Sequence, residues 1–171
     1  MTRLEALAER MPDDQWGKRN DAAKWSPAEC VAHLNLTSAA YIPLIRKAIE
    51  EARQRPRATA GHYRRDFLGW LFATMTGPLP SIGGARIGRV KTTAAFVPTG
   101  NHEKQQLLAQ FKHDQDELIG MVGEANALAI DKILIRSPFG GKIKYSCYSA
   151  LTILPRHQER HLQQAELAWS Q

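Results

Sequence analysis

The spacing of apolar and polar residues predicts a long first helix, from about Ser26 to Arg53. Ser26 can cap this helix, Pro27 suits its first turn, and Glu29 completes a capping box. Its apolar residues recur at helical spacing and predict one stripe facing the core: Leu34, Tyr41, Leu44, Ile45 and Ala48.

Three further helices are predicted, from about His62 to Thr76, Asn101 to Val122 and Ser146 to Trp169. Pro155 lies inside the last of them and is expected to kink it. The Gly- and Pro-rich stretch from Gly77 to Gly100 is too long for a tight turn, so we interpret it as a crossover. A turn-rich segment before the last helix contains at most a short extended piece. The predicted fold class is therefore all-α: a four-helix bundle with a long crossover connection and no convincing sheet.

Length and composition agree with one globular domain over residues 1–171. Cys30 and Cys147 lie too far apart for a zinc-ribbon or redox pattern, and no signal peptide opens the chain, so a cytoplasmic protein is expected. The longest mostly apolar stretch, "FLGWLFATM", is far shorter than the roughly 20 residues that span a bilayer. No membrane partner is predicted.

The formal net charge of +6 has three explanations: solvated basic faces, an anionic small molecule, or nucleic acid. Arg and Lys recur along the whole chain, and no nucleic-acid motif is present, which favours the first and makes the third the weakest. The stretch "GGARIGR" is not a phosphate loop, because Arg89 and Val90 replace the Lys-Ser/Thr pair.

Two histidines, His157 and His161, stand four residues apart on the predicted last helix. Residues at this spacing lie on one helix face and can bind one ion, although such a pair is also common by chance. Their neighbours on that face are mainly apolar, so both side chains are expected to point inward. A buried pair without a metal needs hydrogen-bond partners.

His33 lies on the core side of the first helix and is predicted to face the same interior. Three neutral imidazoles from two packed helices can hold a divalent ion and leave a coordination position for water or substrate. The other histidines are predicted to lie on the surface: His62, His102 and His113. Cys30 is predicted to be a small buried apolar residue rather than a metal ligand.

Four short motifs follow one another along the chain: "WSPAECVAHL", "FVPTG", "SPFG" and "RHQERHLQQ". The first is similar to the Trp-Ser-x-x-Glu-x-x-x-His-Leu opening of the DinB-like four-helix bundles, and together the motifs resemble that family over most of residues 16–169. The resemblance implies a three-histidine metal site, which maps onto His33, His157 and His161. It also implies a bundle with a long crossover.

The reaction is less uniform across that family than the fold. The family that the chain resembles includes thiol-dependent transferases and isomerases that use glutathione, mycothiol or bacillithiol. It also includes many members of unknown reaction. We therefore expect a metal-dependent enzyme with a Zn²⁺, Ni²⁺ or similar ion and a small-molecule substrate, for which a low-molecular-weight thiol is one candidate. A metal-dependent hydrolase and a non-catalytic metal-binding module of a stress or damage response are the alternatives. No catalytic base is predicted, and a homodimer is compatible with an exposed bundle face.

Overall fold

The computed structural model of the protein describes residues 3–78, 81–82, 85–86, 92–100, 103–140 and 142–170. These residues form six helices: α1 (Arg3–Arg10), α2 (Asp13–Trp16), α3 (Pro27–Arg53), α4 (Phe67–Thr76), α5 (Lys104–Glu124) and α6 (Cys147–Ser170). They also form the strands β1 (Ser81–Ile82), β2 (Ala85–Arg86), β3 (Leu134–Arg136) and β4 (Lys144–Ser146). More than half of the chain is helical, so the all-α prediction is confirmed.

The capping box predicted for α3 is present and fixes where the helix begins. The Glu29 N–H donates to Ser26 Oγ at 3.2 Å, and the Ser26 N–H donates to Glu29 Oε2 at 2.8 Å. Arg19 Nε also donates to Glu29 Oε2 at 2.8 Å, which ties the preceding loop to the helix. Because Glu29 is occupied in this way, it belongs to the cap, as the sequence suggested, and does not orient a histidine.

Helix α3 packs against both α5 and α6, and α4 packs against α6. Ion pairs join Arg46 to Glu117 and Arg53 to Glu124, so α3 and α5 run in the same direction. Parallel neighbours cannot be joined by a short loop, and here α4 and the connection after it provide the return path.

The connection between α4 and α5 crosses from one helix pair to the other. The last turn of α4 lies beside Arg160 of α6, and α5 begins beside Asn35 of α3. This agrees with the long crossover predicted over Gly77 to Gly100, of which residues 79–80, 83–84 and 87–91 lie outside the described residues. Most of the "GGARIGR" stretch and His102 lie outside them too.

The buried apolar residues form two clusters along the bundle axis. One includes Leu34 of α3 and Leu162 of α6, with α1 and α2 packed on it. The other includes Tyr41 of α3 and Leu154 of α6. Residues 157–161 of α6 therefore lie where one cluster gives way to the other.

Two local predictions need correction. Helix α4 begins at Phe67 rather than near His62, because Asp66 caps it by accepting the Gly69 N–H at 2.8 Å. The segment before α6 is a true hairpin, in which Ile135 pairs with Tyr145 and both are buried. The prediction of no convincing sheet was wrong for two short ladders, β1 with β2 and β3 with β4, which are too small to alter the fold class.

The ends of α5 and α6 agree with the sequence to within a few residues. Helix α5 spans Lys104–Glu124 against a predicted Asn101 to Val122, and its predicted first residue lies outside the described ranges. Helix α6 spans Cys147–Ser170 and continues through Pro155. Within the described ranges, no helix combines the length and the apolar character needed to cross a bilayer.

Candidate metal centre

Three histidines from two helices meet in the interior of the bundle. His33 of α3 and His157 and His161 of α6 are 2%, 7% and 8% exposed. One potential ligand atom from each lies within 4.8 Å of the other two. The ring centroids of His161 lie 4.5 Å from those of both His33 and His157. The structure thus brings together the three histidines that the sequence selected.

The hydrogen bond of His33 determines which of its nitrogens can bind an ion. Its Nδ1 lies 2.8 Å from the carbonyl oxygen of Phe96. A carbonyl oxygen only accepts hydrogen bonds, so the proton of the neutral ring is assigned to Nδ1. Nε2 then carries a free lone pair and faces the other histidines. Metal-binding histidines are commonly held by such a bond from the second ring nitrogen.

The spacing of two of these nitrogens fits a shared ion. Nε2 of His33 lies 3.3 Å from Nε2 of His157. Two imidazole ligands on a tetrahedral Zn²⁺, with bonds of about 2.0–2.1 Å, place their nitrogens about 3.3–3.4 Å apart. The side chains therefore already have the separation of a ligand pair.

Burial keeps all three rings neutral near pH 7. Loss of solvation lowers the pKa of His33, although the bond to Phe96 opposes this. Burial, followed by the charges of His33 and Arg160, lowers the pKa of His157 to about 3. Burial and the neighbouring imidazoles also lower the pKa of His161 far below its ordinary value. Neutral imidazole is the form that binds metals.

Hydrogen bonding alone does not account for the burial of this cluster. The buried Nδ1 atoms of His157 and His161 have no hydrogen-bond partner in the part of the chain that the structure describes. A buried polar group without a partner costs about 1–3 kcal/mol. A cluster of three neutral imidazole donors, with no positive charge among them, fits a divalent ion.

Aromatic rings surround the cluster. Trp25 stacks on His161 with centroids 5.9 Å apart and lies 5.0 Å from His33. Phe139 lies 5.8 Å from His157. Trp25 directly precedes the capping box of α3, so the same local structure that starts the helix positions this ring. Nothing in the spacing of Trp25 along the sequence relates it to the histidines.

The cluster opens onto a cavity of about 530 Å³, a size typical of small-molecule sites. Apolar walls come from Trp25, Phe72, Met75, Phe139 and Ile143, and hydroxyl groups from Thr76, Thr92, Thr93 and Ser137. Two cationic side chains, Lys24 and Arg160, also line it. Among the described lining residues none carries a carboxylate. The cavity therefore offers positive charge and apolar surface beside the imidazoles.

Two of the three predicted surface histidines lie within the described residues, and both fall where expected. His62 and His113 are exposed, and neither joins the cluster. The residues that sequence reasoning missed are the Phe96 carbonyl and the two cavity cations. A backbone carbonyl has no signature in a sequence, and Lys24 lies in a loop whose position depends on the bundle.

The bundle thus has a long crossover and, on its first and last long helices, three inward histidines that could hold a metal ion. The sequence model of the DinB superfamily matches residues 1–165, and the chain belongs to this family. No curated protein and no solved structure matches the chain at a significant level.

Proposed function

We propose that the protein is a metal-dependent enzyme in which His33, His157 and His161 hold one divalent ion. The observation that carries this proposal is the convergence of three buried, neutral imidazoles on a cavity of about 530 Å³. Three protein ligands leave a fourth position for substrate, as in catalytic sites. A divalent ion there supplies a Lewis acid that lowers the pKa of a thiol or a water. Nitrogen-only donors suit Zn²⁺, Ni²⁺ or a similar ion.

The reaction that we favour is transfer of a low-molecular-weight thiol to an electrophilic small molecule. Arg160 gives the cavity a positive charge, Lys24 adds to it although it pairs with Asp21 at 3.3 Å, and the chain as a whole carries +6. Anionic thiols such as glutathione or bacillithiol match this charge. The resemblance to thiol-transferring bundles supports the same choice.

The residues of the chain have separate tasks in this proposal. Arg160 Nη1 donates to the Met75 carbonyl at 3.0 Å, which holds the guanidinium in the cavity wall, where it can bind an anionic group of the substrate. Trp25 and Phe139 cover the imidazoles and limit the access of water to them. The Phe96 carbonyl keeps His33 in the tautomer that presents Nε2.

Cobalt substitution tests whether a thiol binds beside the imidazoles. Cobalt-loaded protein should gain a sulfur-to-metal charge-transfer band when glutathione or bacillithiol is added, and His161→Ala should lose it. If cobalt-loaded protein shows no band with any common cellular thiol, the thiol proposal is wrong. Turnover of an ester or amide would then point to the hydrolase, and no turnover to the non-catalytic module.

The cavity cations provide a second test. Lys24→Ala and Arg160→Gln should each weaken glutathione binding by about fivefold, measured by calorimetry on metal-loaded protein. Arg57→Ala is the matched control, because Arg57 is exposed and does not line the cavity. Equal weakening in all three variants would show a general effect of net charge rather than recognition in the cavity.

A further inference from the structure

Helix α4 turns its small residues inward and its large apolar residues outward. Gly69 and Ala73 are its buried residues. Phe67 is 72% exposed and Trp70 49%, and Leu68 and Met75 are also exposed. Large apolar residues at helical spacing ordinarily face a core. In α4 they face outward instead.

The inward orientation of the small residues follows from how closely α4 approaches α6. A Cβ atom on Gly69 would collide with the Ser149 hydroxyl, so only glycine fits at this contact. One turn later, Arg156 Nε donates to the Ala73 carbonyl at 2.6 Å. Because Gly69 and Ala73 face α6, the 100° step per residue places the large apolar residues of α4 on one continuous arc that faces outward. We call it the α4 apolar strip: the exposed Phe67, Leu68, Trp70 and Met75, with the half-buried Leu71 between them.

Arginines flank the α4 apolar strip at both ends. Arg64 and Arg65 are exposed and directly precede the helix. Arg156 and Arg160 bind the carbonyl groups of its last turns. The helix itself contains no acidic residue, and its cap, Asp66, faces inward.

The acidic groups near this surface are already engaged. Asp66 accepts hydrogen bonds from Gly69, from Ser146 and from the Ser149 hydroxyl at 2.6 Å. Asp131 accepts the Arg64 N–H at 3.4 Å and pairs with Lys132 at 3.2 Å. The outward surface of α4 therefore combines aromatic and aliphatic side chains with positive charge at both ends.

We propose that the α4 apolar strip and its flanking arginines bind the surface of an anionic lipid membrane. Trp and Phe beside Arg are the side chains that favour the headgroup region, and an exposed apolar helix face can lie in that layer without spanning it. Arginines near an anionic leaflet add electrostatic attraction. The sequence-based prediction of no membrane partner rested on the length needed for spanning, which does not address surface binding.

The charge pattern disfavours a second copy of the chain as the occupant. In antiparallel pairing of two α4 helices, Arg64 and Arg65 of one copy would meet Arg156 and Arg160 of the other. In parallel pairing, each group of arginines would meet the same group of the other copy. Like charges meet in both arrangements, and like charges across an interface are unfavourable. An anionic surface compensates both groups at once.

Binding through this strip would place the cavity beside the lipid. Phe72, Met75 and Thr76 of α4 line the cavity, and Met75 also belongs to the strip, so the strip borders the cavity. The membrane proposal depends on this surface alone and holds with or without metal in the histidine cluster.

Co-sedimentation of the full chain with vesicles tests the proposal. Vesicles with about 30% phosphatidylglycerol in phosphatidylcholine should bind the protein at low salt, and pure phosphatidylcholine should bind it at least about fivefold less. Salt at about 0.5 M should reduce binding to the anionic vesicles. Phe67→Ser with Trp70→Ser should lower the bound fraction at least about tenfold. Arg64→Glu with Arg65→Glu should lower it to a similar extent.

The matched control changes exposed apolar residues elsewhere. Ile119 and Val122 of α5 are 69% and 54% exposed, and Ile119→Ser with Val122→Ser should leave vesicle binding unchanged. Circular dichroism verifies that each variant remains helical. Failure of the wild-type chain to sediment with anionic vesicles at low salt overturns the proposal, as does equal loss in the α5 control. A dimer in analytical ultracentrifugation that Phe67→Ser dissociates, without vesicle binding, assigns the strip to a second copy instead.

Discussion

Nε2 of His33 and Nε2 of His157 lie 3.3 Å apart inside the bundle. A long hydrogen bond between the rings is one explanation, and a shared metal ion is the other. The His161 ring, whose centroid lies 4.5 Å from both of the others, favours the ion, because a hydrogen bond needs only two partners.

We first predict that protein purified without an affinity tag contains about one divalent ion per chain. Elemental analysis measures this content. His33→Ala, His157→Ala and His161→Ala should each lower metal affinity at least about tenfold, because each removes one of three ligands. His62→Ala is the control, since His62 is exposed and outside the cluster. Full metal content in His33→Ala would show that the three-ligand site is wrong.

Chelation should lower the thermal midpoint of unfolding but leave the protein strongly helical. A bound ion stabilises only the folded state, so its removal reduces stability by mass action. The bundle keeps two apolar clusters of its own on either side of the site, and 171 residues suffice for a core without metal. Circular dichroism of chelated protein is the measurement. A random-coil spectrum would mean that the metal is structural.

Asp66 should make stability depend on pH in the acid range. Burial alone raises the pKa of this carboxyl, but hydrogen bonds from Ser149, Ser146 and Gly69 outweigh it and lower the pKa from 3.8 to about 2. A carboxyl with a depressed folded pKa stabilises the protein above its unfolded pKa and loses that contribution as pH falls from about 4 towards 2.

Asp66→Ala measures this contribution. The variant should unfold about 1–3 kcal/mol more easily at pH 7, since it loses the cap of α4 and leaves buried donors unpaired. The difference from wild type in urea unfolding should shrink steadily between about pH 4 and pH 2. A difference that is constant across this range would assign the effect to packing rather than to the ionised carboxylate.

Local signals in the sequence were sufficient for parts of the fold and of the site. The capping box places the start of α3 because Ser26 and Glu29 satisfy each other within one turn. The four-residue spacing of His157 and His161 places both on one face whatever surrounds the helix. Features of this kind depend on few neighbours, and so they can be recognised without a tertiary structure.

Other parts depend on contacts between distant segments and could not be predicted. The bond between His33 and Phe96 joins residues on α3 and the crossover through a backbone carbonyl. The orientation of α4 is another such feature, because large apolar residues ordinarily face inward, whereas the close approach at Ser149 reserves that side for Gly69. Tertiary packing overrides helical periodicity in such cases.

Two glycines in helices should respond to alanine with opposite signs. At Gly120, an exposed position of α5, an added Cβ meets no atom within 4 Å, so Gly120→Ala should stabilise the protein by about 0.4–1 kcal/mol. At Gly69 the added Cβ collides with Ser149, whose hydroxyl is held by Asp66 at 2.6 Å and cannot move away freely.

Gly69→Ala should therefore destabilise the protein by about 1–3 kcal/mol, measured by urea unfolding. It should also displace α4 from α6, and because Phe72 and Met75 of α4 line the cavity, ligand affinity should fall with stability. Ser149→Gly in the same chain removes the colliding atoms and should recover part of the loss, which a double-mutant cycle quantifies. Additive effects of the two substitutions would show that Gly69 and Ser149 are not in the close contact described.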